Sequence, residues 1–130
     1  MQKCLLRGKI HRGTITEDNV DYEGSITIDA RLMAAVDLIP FEQVHVWSVT
    51  TGERLVTYAI PGKAGSGEIS MNGAAAHRIK KGEIVIITSF SWIGEKEARG
   101  YHPRIIFVDE QNRIKAIGNK LETENNIFQG

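Results

Sequence analysis

The sequence predicts a mainly β fold, a small barrel or sandwich built as one domain. Most apolar segments are short, rich in β-branched residues and alternating in character, as half-buried strands are. Glycine or polar turns separate them about every dozen residues, a spacing typical of small all-β domains. The chain has 130 residues, 42% of them hydrophobic, which suffices for one core without staples and leaves little for a second domain.

Strands are expected over Lys3 to Ile15, Ser25 to Ile28, Gln43 to Val49, Arg54 to Ile60, Glu68 to Met71, Glu83 to Phe90, Arg104 to Val108 and Arg113 to Ile117. Thr50-Thr51-Gly52-Glu53 should close one hairpin and Asp109-Glu110-Gln111-Asn112 another, since each sits between two apolar runs. Asp29 through Leu38 is the best helix: Asp29 caps the free amides, strong helix formers follow, and Pro40 stops it. It reads as a lid with Leu32, Ala35 and Val36 turned inward, and a second short helix should begin at Ala74. Residues 1–117 form the domain, and 118–130, polar and aperiodic, form a flexible tail.

Lys plus Arg and Asp plus Glu are both 16, so the formal net charge is +0 and no electrostatic footprint for nucleic acid or an anionic membrane is present. The ligand is therefore expected to be small. No apolar run approaches membrane-spanning length, and the single cysteine, Cys4, excludes an internal disulfide. A cytoplasmic location is the expectation, with Cys4 as a small packing residue. His11, His45, His77 and His102 have no metal-ligand spacing around them, so no metal is expected. The glycine-rich run Pro61 to Gly67 lacks the order of a phosphate loop and reads as a flexible surface loop.

The segment that carries most chemistry is Tyr22-Glu23-Gly24-Ser25, where a Gly-Ser bond precedes a strand. Glycine can hold its carbonyl strained and exposed to the next hydroxyl. An N→O acyl shift, β-elimination and hydrolysis would then cut the chain into 1–24 and 25–130 and leave a pyruvoyl group at position 25. Taken alone, Gly-Ser is equally a turn into a strand. On a regular strand Arg54, Val56 and Tyr58 share one face, so a guanidinium fork for a carboxylate and a phenolic proton donor could line one pocket; an exposed arginine and a rim tyrosine satisfy the same pattern. Asn72-Gly73-Ala74-Ala75-Ala76-His77 opens a helix whose amides are unobstructed and could bind a carboxylate, or merely packs closely. Gly8-Lys9-Ile10-His11-Arg12 puts Lys9 and His11 on one strand face, where both could also be solvated.

Taken in order, Gly8 to Arg12, Tyr22 to Ser25, Trp47, Thr57-Tyr58-Ala59-Ile60, Asn72 to His77, and Gly82 to Ile87 with Ser89-Phe90 closely resemble the pyruvoyl-dependent aspartate α-decarboxylase family. The resemblance runs from about Leu6 to Ile117. It implies a six-stranded double-psi β-barrel with short flanking helices, assembled as a homotetramer with sites between subunits, that converts L-aspartate to β-alanine and carbon dioxide for pantothenate synthesis. The implied cofactor is a covalent pyruvoyl group made from Ser25 after cleavage behind Gly24, with neither metal nor pyridoxal phosphate. Tyr58 is the implied proton donor, and Thr57 contacts substrate and assists cleavage by bonding the Gly24 carbonyl. Lys9, Arg54, Asn72, Gly73, Ala74 and Ala75 complete the substrate pocket, Arg54 taking the retained carboxylate, and His11, Tyr22, Trp47 and Ile86 are wall residues. Two other readings stay open on the sequence: a non-enzymatic barrel that binds a ligand or partner, and the same chemistry on glutamate. Whether a maturation factor is needed is not legible in the residues.

Overall fold

The structure, a computed structural model, describes residues 1–118. The expected tail from position 119 onward lies outside the described residues, and Gly118 belongs to the last strand rather than to the tail. The strands are β1 (Gln2–Thr14), β2 (Glu17–Asn19), β3 (Ser25–Asp29), β4 (Gln43–Ser48), β5 (Arg54–Gly62), β6 (Ile69–Asn72), β7 (Ile84–Gly94), β8 (Arg104–Val108) and β9 (Ile114–Gly118). Two short helices, α1 (Ala30–Ala35) and α2 (Glu95–Ala98), and a 3-10 turn over Gly73–His77 complete the described chain.

The strand order is β2-β6-β3-β5-β4-β7-β1-β8-β9. Only Ile15 and Thr16 separate β1 from β2, and there the chain passes from one neighbour to the next. The Ile15 amide donates to the Glu83 carbonyl at 2.9 Å, beside β7, and the Thr16 amide donates to the Ile69 carbonyl at 2.7 Å, on β6. Treating β1 and β2 as one bent strand, six members close a ring through β6, β3, β5, β4 and β7. This is the six-stranded double-psi β-barrel. Its pairings mix directions: β1 with β8, β2 with β6 and β3 with β5 run parallel, while the hairpins β4-β5 and β8-β9 are antiparallel.

Alternation fills the barrel. Ile10, Ile26, Ile28, Val44, Val46, Ile69, Met71, Val85 and Ile87 are buried from successive strands, each contributing about 1.5–3 kcal/mol by leaving water. At the seam where β8 gives way to β6 beside β1, Asn112 substitutes for a strand partner. Its side chain accepts from the Thr14 amide at 2.8 Å and donates to the carbonyls of Thr14 at 2.9 Å and Gly67 at 2.7 Å.

Asp29 caps α1 as expected, accepting from the Arg31 amide at 2.8 Å. The helix is shorter than the expected span to Leu38, because Asp37 takes a left-handed φ of 60° well before Pro40. Leu32 and Val36 point into the core as anticipated, but Met33 joins them while Ala35 is half-buried. The Asp29 carboxylate also accepts from the amides of Gly65 at 3.0 Å and Gly67 at 2.8 Å, so the loop read as flexible is tied to the barrel. Burial opposes ionisation of Asp29, yet the three amides, with the Arg31 charge beside them, outweigh it and hold the carboxyl below its usual value.

Other departures have plain causes. The three polar residues of β2 carry no hydrophobic period, β7 runs on to Gly94, and α2 follows it. Cys4 is exposed rather than packed. The segment expected to begin a helix at Ala74 is one 3-10 turn, too short to add a helix dipole to its individual amides.

Candidate functional site

Ser25 is the first residue of β3 and lies opposite Asn72, the last residue of β6, in an antiparallel pair. Both are buried, at 1% and 5% exposure. The Asn72 side-chain amide donates to the Ser25 hydroxyl at 3.0 Å and to the half-buried Thr27 hydroxyl at 2.9 Å, so one group orients both hydroxyls. Gly24, one residue back, is exposed.

The conformational reason for glycine is found across the pair rather than at the bond itself. Gly24 does not adopt a positive φ, and a Cβ added to it would meet nothing within 4 Å. Gly73 has a φ of 67°, and a Cβ there would stand 2.6 Å from both the N and the Cα of Gly24 and 2.9 Å from the Tyr22 carbonyl oxygen. The strain expected of Gly24 is therefore not seen as a left-handed backbone, and Gly73 is the residue that must lack a side chain.

β5 runs parallel to β3 with Ile26 beside Ala59. Carried one step back, that register sets Ser25 beside Tyr58, and a second step sets Gly24 beside Thr57. Tyr58 is half-buried, its ring 6.2 Å from that of Phe41. Thr57 projects to the opposite face of β5 from Tyr58 and makes no hydrogen bond to the Gly24 carbonyl in this continuous chain.

The remaining residues occupy the same outward face farther along. Arg54, Trp47 and Ile86 are successive partners across β5, β4 and β7, and the Arg54 guanidinium carbon lies 4.7 Å from the Trp47 ring centroid. Val56, His45, Thr88 and Lys9 form the adjacent row. His11 follows Lys9 on β1 and packs against Phe107 with ring centroids 5.1 Å apart. Burial, together with the positive charges of Lys9, Arg12 and Lys115, pushes the His11 imidazole down to about 4. Tyr22 is exposed on the segment leading to Gly24, Ala74 is exposed and Ala75 half-buried.

Within one chain, then, Ser25, Asn72, Gly73 and Gly24 come together, the extended register sets Thr57 and Tyr58 alongside, and Arg54, Trp47 and Ile86 form a row farther along β5. Four residues of strand separate Tyr58 from Arg54, about 13 Å. Three strand spacings separate Lys9 from Val56, about 14 Å. Among the described residues no group of three His, Cys, Asp or Glu side chains could hold a metal ion, and no helix is long and apolar enough to cross a membrane. Sequence reasoning missed Thr27 as the second partner of Asn72 and the contact of Gly73 with Gly24. Both join residues more than forty positions apart, and no local pattern marks them.

Residues 1–115 match the family model described as aspartate decarboxylase. The chain belongs to the aspartate decarboxylase family. Among curated members of that family, the aspartate 1-decarboxylase of Syntrophus aciditrophicus is 50% identical over 115 residues, which cover 88% of this chain and 99% of that one. The aspartate 1-decarboxylase of Mycolicibacterium smegmatis is 53% identical over 118 residues, covering 91% and 87%. That of Myxococcus xanthus is 48% identical over 114 residues, covering 88% of each chain. The aspartate decarboxylase match spans the whole barrel as far as the middle of β9.

Proposed function

We propose that this chain decarboxylates L-aspartate to β-alanine and carbon dioxide for pantothenate synthesis, with a covalent pyruvoyl group made from its own Ser25. The observation that carries the reading is a buried serine hydroxyl, oriented by Asn72, at the junction with an exposed glycine and beside Tyr58 in register. Family membership and the names of the relatives point the same way.

The maturation step balances within the chain and one water. The Ser25 hydroxyl oxygen bonds to the Gly24 carbonyl carbon while the C–N bond breaks, giving an ester and a free amine at position 25. Loss of the Ser25 α-proton and cleavage of the Cβ–Oγ bond then release the Gly24 carboxylate. Water adds to the unsaturated residue left behind, ammonia departs, and the ketone remains. The residues suit that group: the Ser25 side chain is buried, Asn72 offers a donor there, and the contact of Gly73 with Gly24 leaves no room for a side chain at 73.

The pyruvoyl group supplies an electron sink for the electron pair released as the α-carboxylate leaves. Tyr58 holds the proton that the α-carbon receives. Its ring is packed on Phe41, which limits the positions of its hydroxyl. Arg54 takes the retained carboxylate with its donor fork, its guanidinium carbon lying over the Trp47 ring. Lys9, Thr57 and the backbone of Gly73, Ala74 and Ala75 contribute further polar contacts, and His11, Tyr22 and Ile86 form walls.

About 13 Å of strand separates the backbones of Tyr58 and Arg54. The homotetramer that the family resemblance implies has its sites between subunits, and we assign Arg54 and Trp47 to the site of a neighbouring copy. Val56 at 54% and Trp92 at 68% exposure leave apolar surface on the same outward face for such a neighbour. A cytoplasmic location fits this chemistry. Release of carbon dioxide from aspartate by the purified, fully cleaved protein is the expected result; no release, or faster release from glutamate, would overturn the assignment.

A further inference from the structure

Gly73 meets the segment around the bond to be cut at three backbone atoms. A Cβ on it would lie 2.6 Å from the Gly24 nitrogen and Cα and 2.9 Å from the Tyr22 carbonyl oxygen, all backbone atoms that cannot swing aside. Contacts of that length are well inside van der Waals separation, so a side chain at 73 would move the 22–24 backbone itself. Its neighbour Asn72 holds the Ser25 hydroxyl at 3.0 Å. Adjacent residues at the end of β6 thus hold the two reacting partners, Asn72 the attacking oxygen and Gly73 the backbone that carries the attacked carbonyl.

We propose that Gly73 is a positioning residue for self-cleavage: its bare backbone is the template against which Tyr22 to Gly24 lie, fixing the Gly24 carbonyl within reach of the Ser25 hydroxyl. This rests on the reading that Ser25 cleaves the chain, and it adds a role before cleavage to the backbone contacts with substrate proposed above. The role concerns the reaction rather than the fold, because Gly24 is exposed and a Cβ on Gly24 itself would touch nothing. Intramolecular attack depends steeply on approach, and a displacement of about 1 Å costs roughly a hundredfold in rate.

Backbone strain must be separated from contact. Gly82 provides the control, since its φ is 90° and a Cβ there meets nothing within 4 Å. Gly82→Ala therefore imposes a left-handed alanine without touching the scissile segment. Gly73→Asn is the second test variant, because asparagine tolerates left-handed φ and still brings a Cβ.

Cleavage is followed by intact mass on freshly purified full-length chains, with the melting temperature of each variant measured in an uncleavable Ser25→Ala background. The expectation is that Gly73→Ala and Gly73→Asn cleave roughly a hundredfold more slowly than the parent. Gly82→Ala should cleave at the parental rate while its melting temperature falls through backbone strain alone. Equal slowing in Gly82→Ala would overturn the proposal by assigning the effect to strain. Parental cleavage in the Gly73 variants would overturn it directly. Failure of both Gly73 variants to fold would also overturn it, since Gly73 would then serve the barrel and not the reaction. A parent chain that never cleaves would instead remove the reading on which the proposal rests.

Discussion

The side-chain amide of Asn72 donates to the hydroxyl of Ser25 at 3.0 Å across the antiparallel pair of β3 and β6. The same nitrogen reaches the half-buried Thr27 hydroxyl at 2.9 Å, so buried Asn72 is a hub for two hydroxyls. Removing such a hub leaves polar groups unsatisfied.

In a Ser25→Ala background, where the chain stays intact, Asn72→Ala still strips the bond to Thr27 and opens a small void. A loss of about 1–3 kcal/mol is expected in denaturant unfolding. Adding Thr27→Val should recover part of it, because the orphaned hydroxyl then disappears. No loss on Asn72→Ala would mean that the hub contributes little to the barrel.

Tyr58 stands beside Ser25 in the register of β3 and β5, yet the cleavage chemistry makes no use of its hydroxyl. Tyr58→Phe should cleave at the parental rate, measured by intact mass, while steady-state decarboxylation falls by roughly 10²–10⁴. Retained turnover would remove Tyr58 from proton delivery.

Much of this was legible in the residues. Alternation such as Ile26 and Ile28 against Thr27, or Val44 and Val46 against His45, is a period-two signal that a half-buried strand cannot avoid writing. Asp29 as a cap and both hairpin turns are likewise local chemistry, and the ordered motifs led to the family. What stayed hidden is non-local. The closure at Ile15 and Thr16 depends on two amides meeting Glu83 and Ile69, and the seam at Thr14 is filled by Asn112. The need for a bare backbone at 73 depends on Gly24, and the sequence pointed to Gly24 instead. Helix propensity at Ala74 to Ala76 lost to the tight turn that the end of β6 imposes.

The Arg54 guanidinium lies over Trp47 at 4.7 Å, which orders the fork before substrate arrives. Loss of an exposed stacking contact of about 0.5–1 kcal/mol should raise KM for aspartate about two- to fivefold in Trp47→Leu, with little change in kcat. Arg54→Lys forfeits the paired donors and should raise KM further, by roughly tenfold or more. A fall confined to kcat in both variants would place the pair elsewhere than at the retained carboxylate.

His11 makes stability depend on pH. Burial first, then Lys9, Arg12 and Lys115, bring its value in the fold to about 4 from 6.5, so the unfolded chain binds its proton more readily. The neutral form therefore contributes stability that is present above pH 6.5 and lost progressively as pH falls toward 4. For this half-buried ring the loss should be about 1–2 kcal/mol after allowance for screening. Urea unfolding between those limits should show a steeper decline than in His11→Phe. Parallel curves for the two proteins would contradict the assignment.

The conversion of Ser25 is tested most directly by the intact mass of the purified protein after prolonged incubation. The account predicts two chains, residues 1–24 ending in a carboxylate and a second beginning at position 25 that is lighter than its serine-headed sequence by one ammonia. A single uncut chain, or a second fragment that still begins with serine, would contradict it.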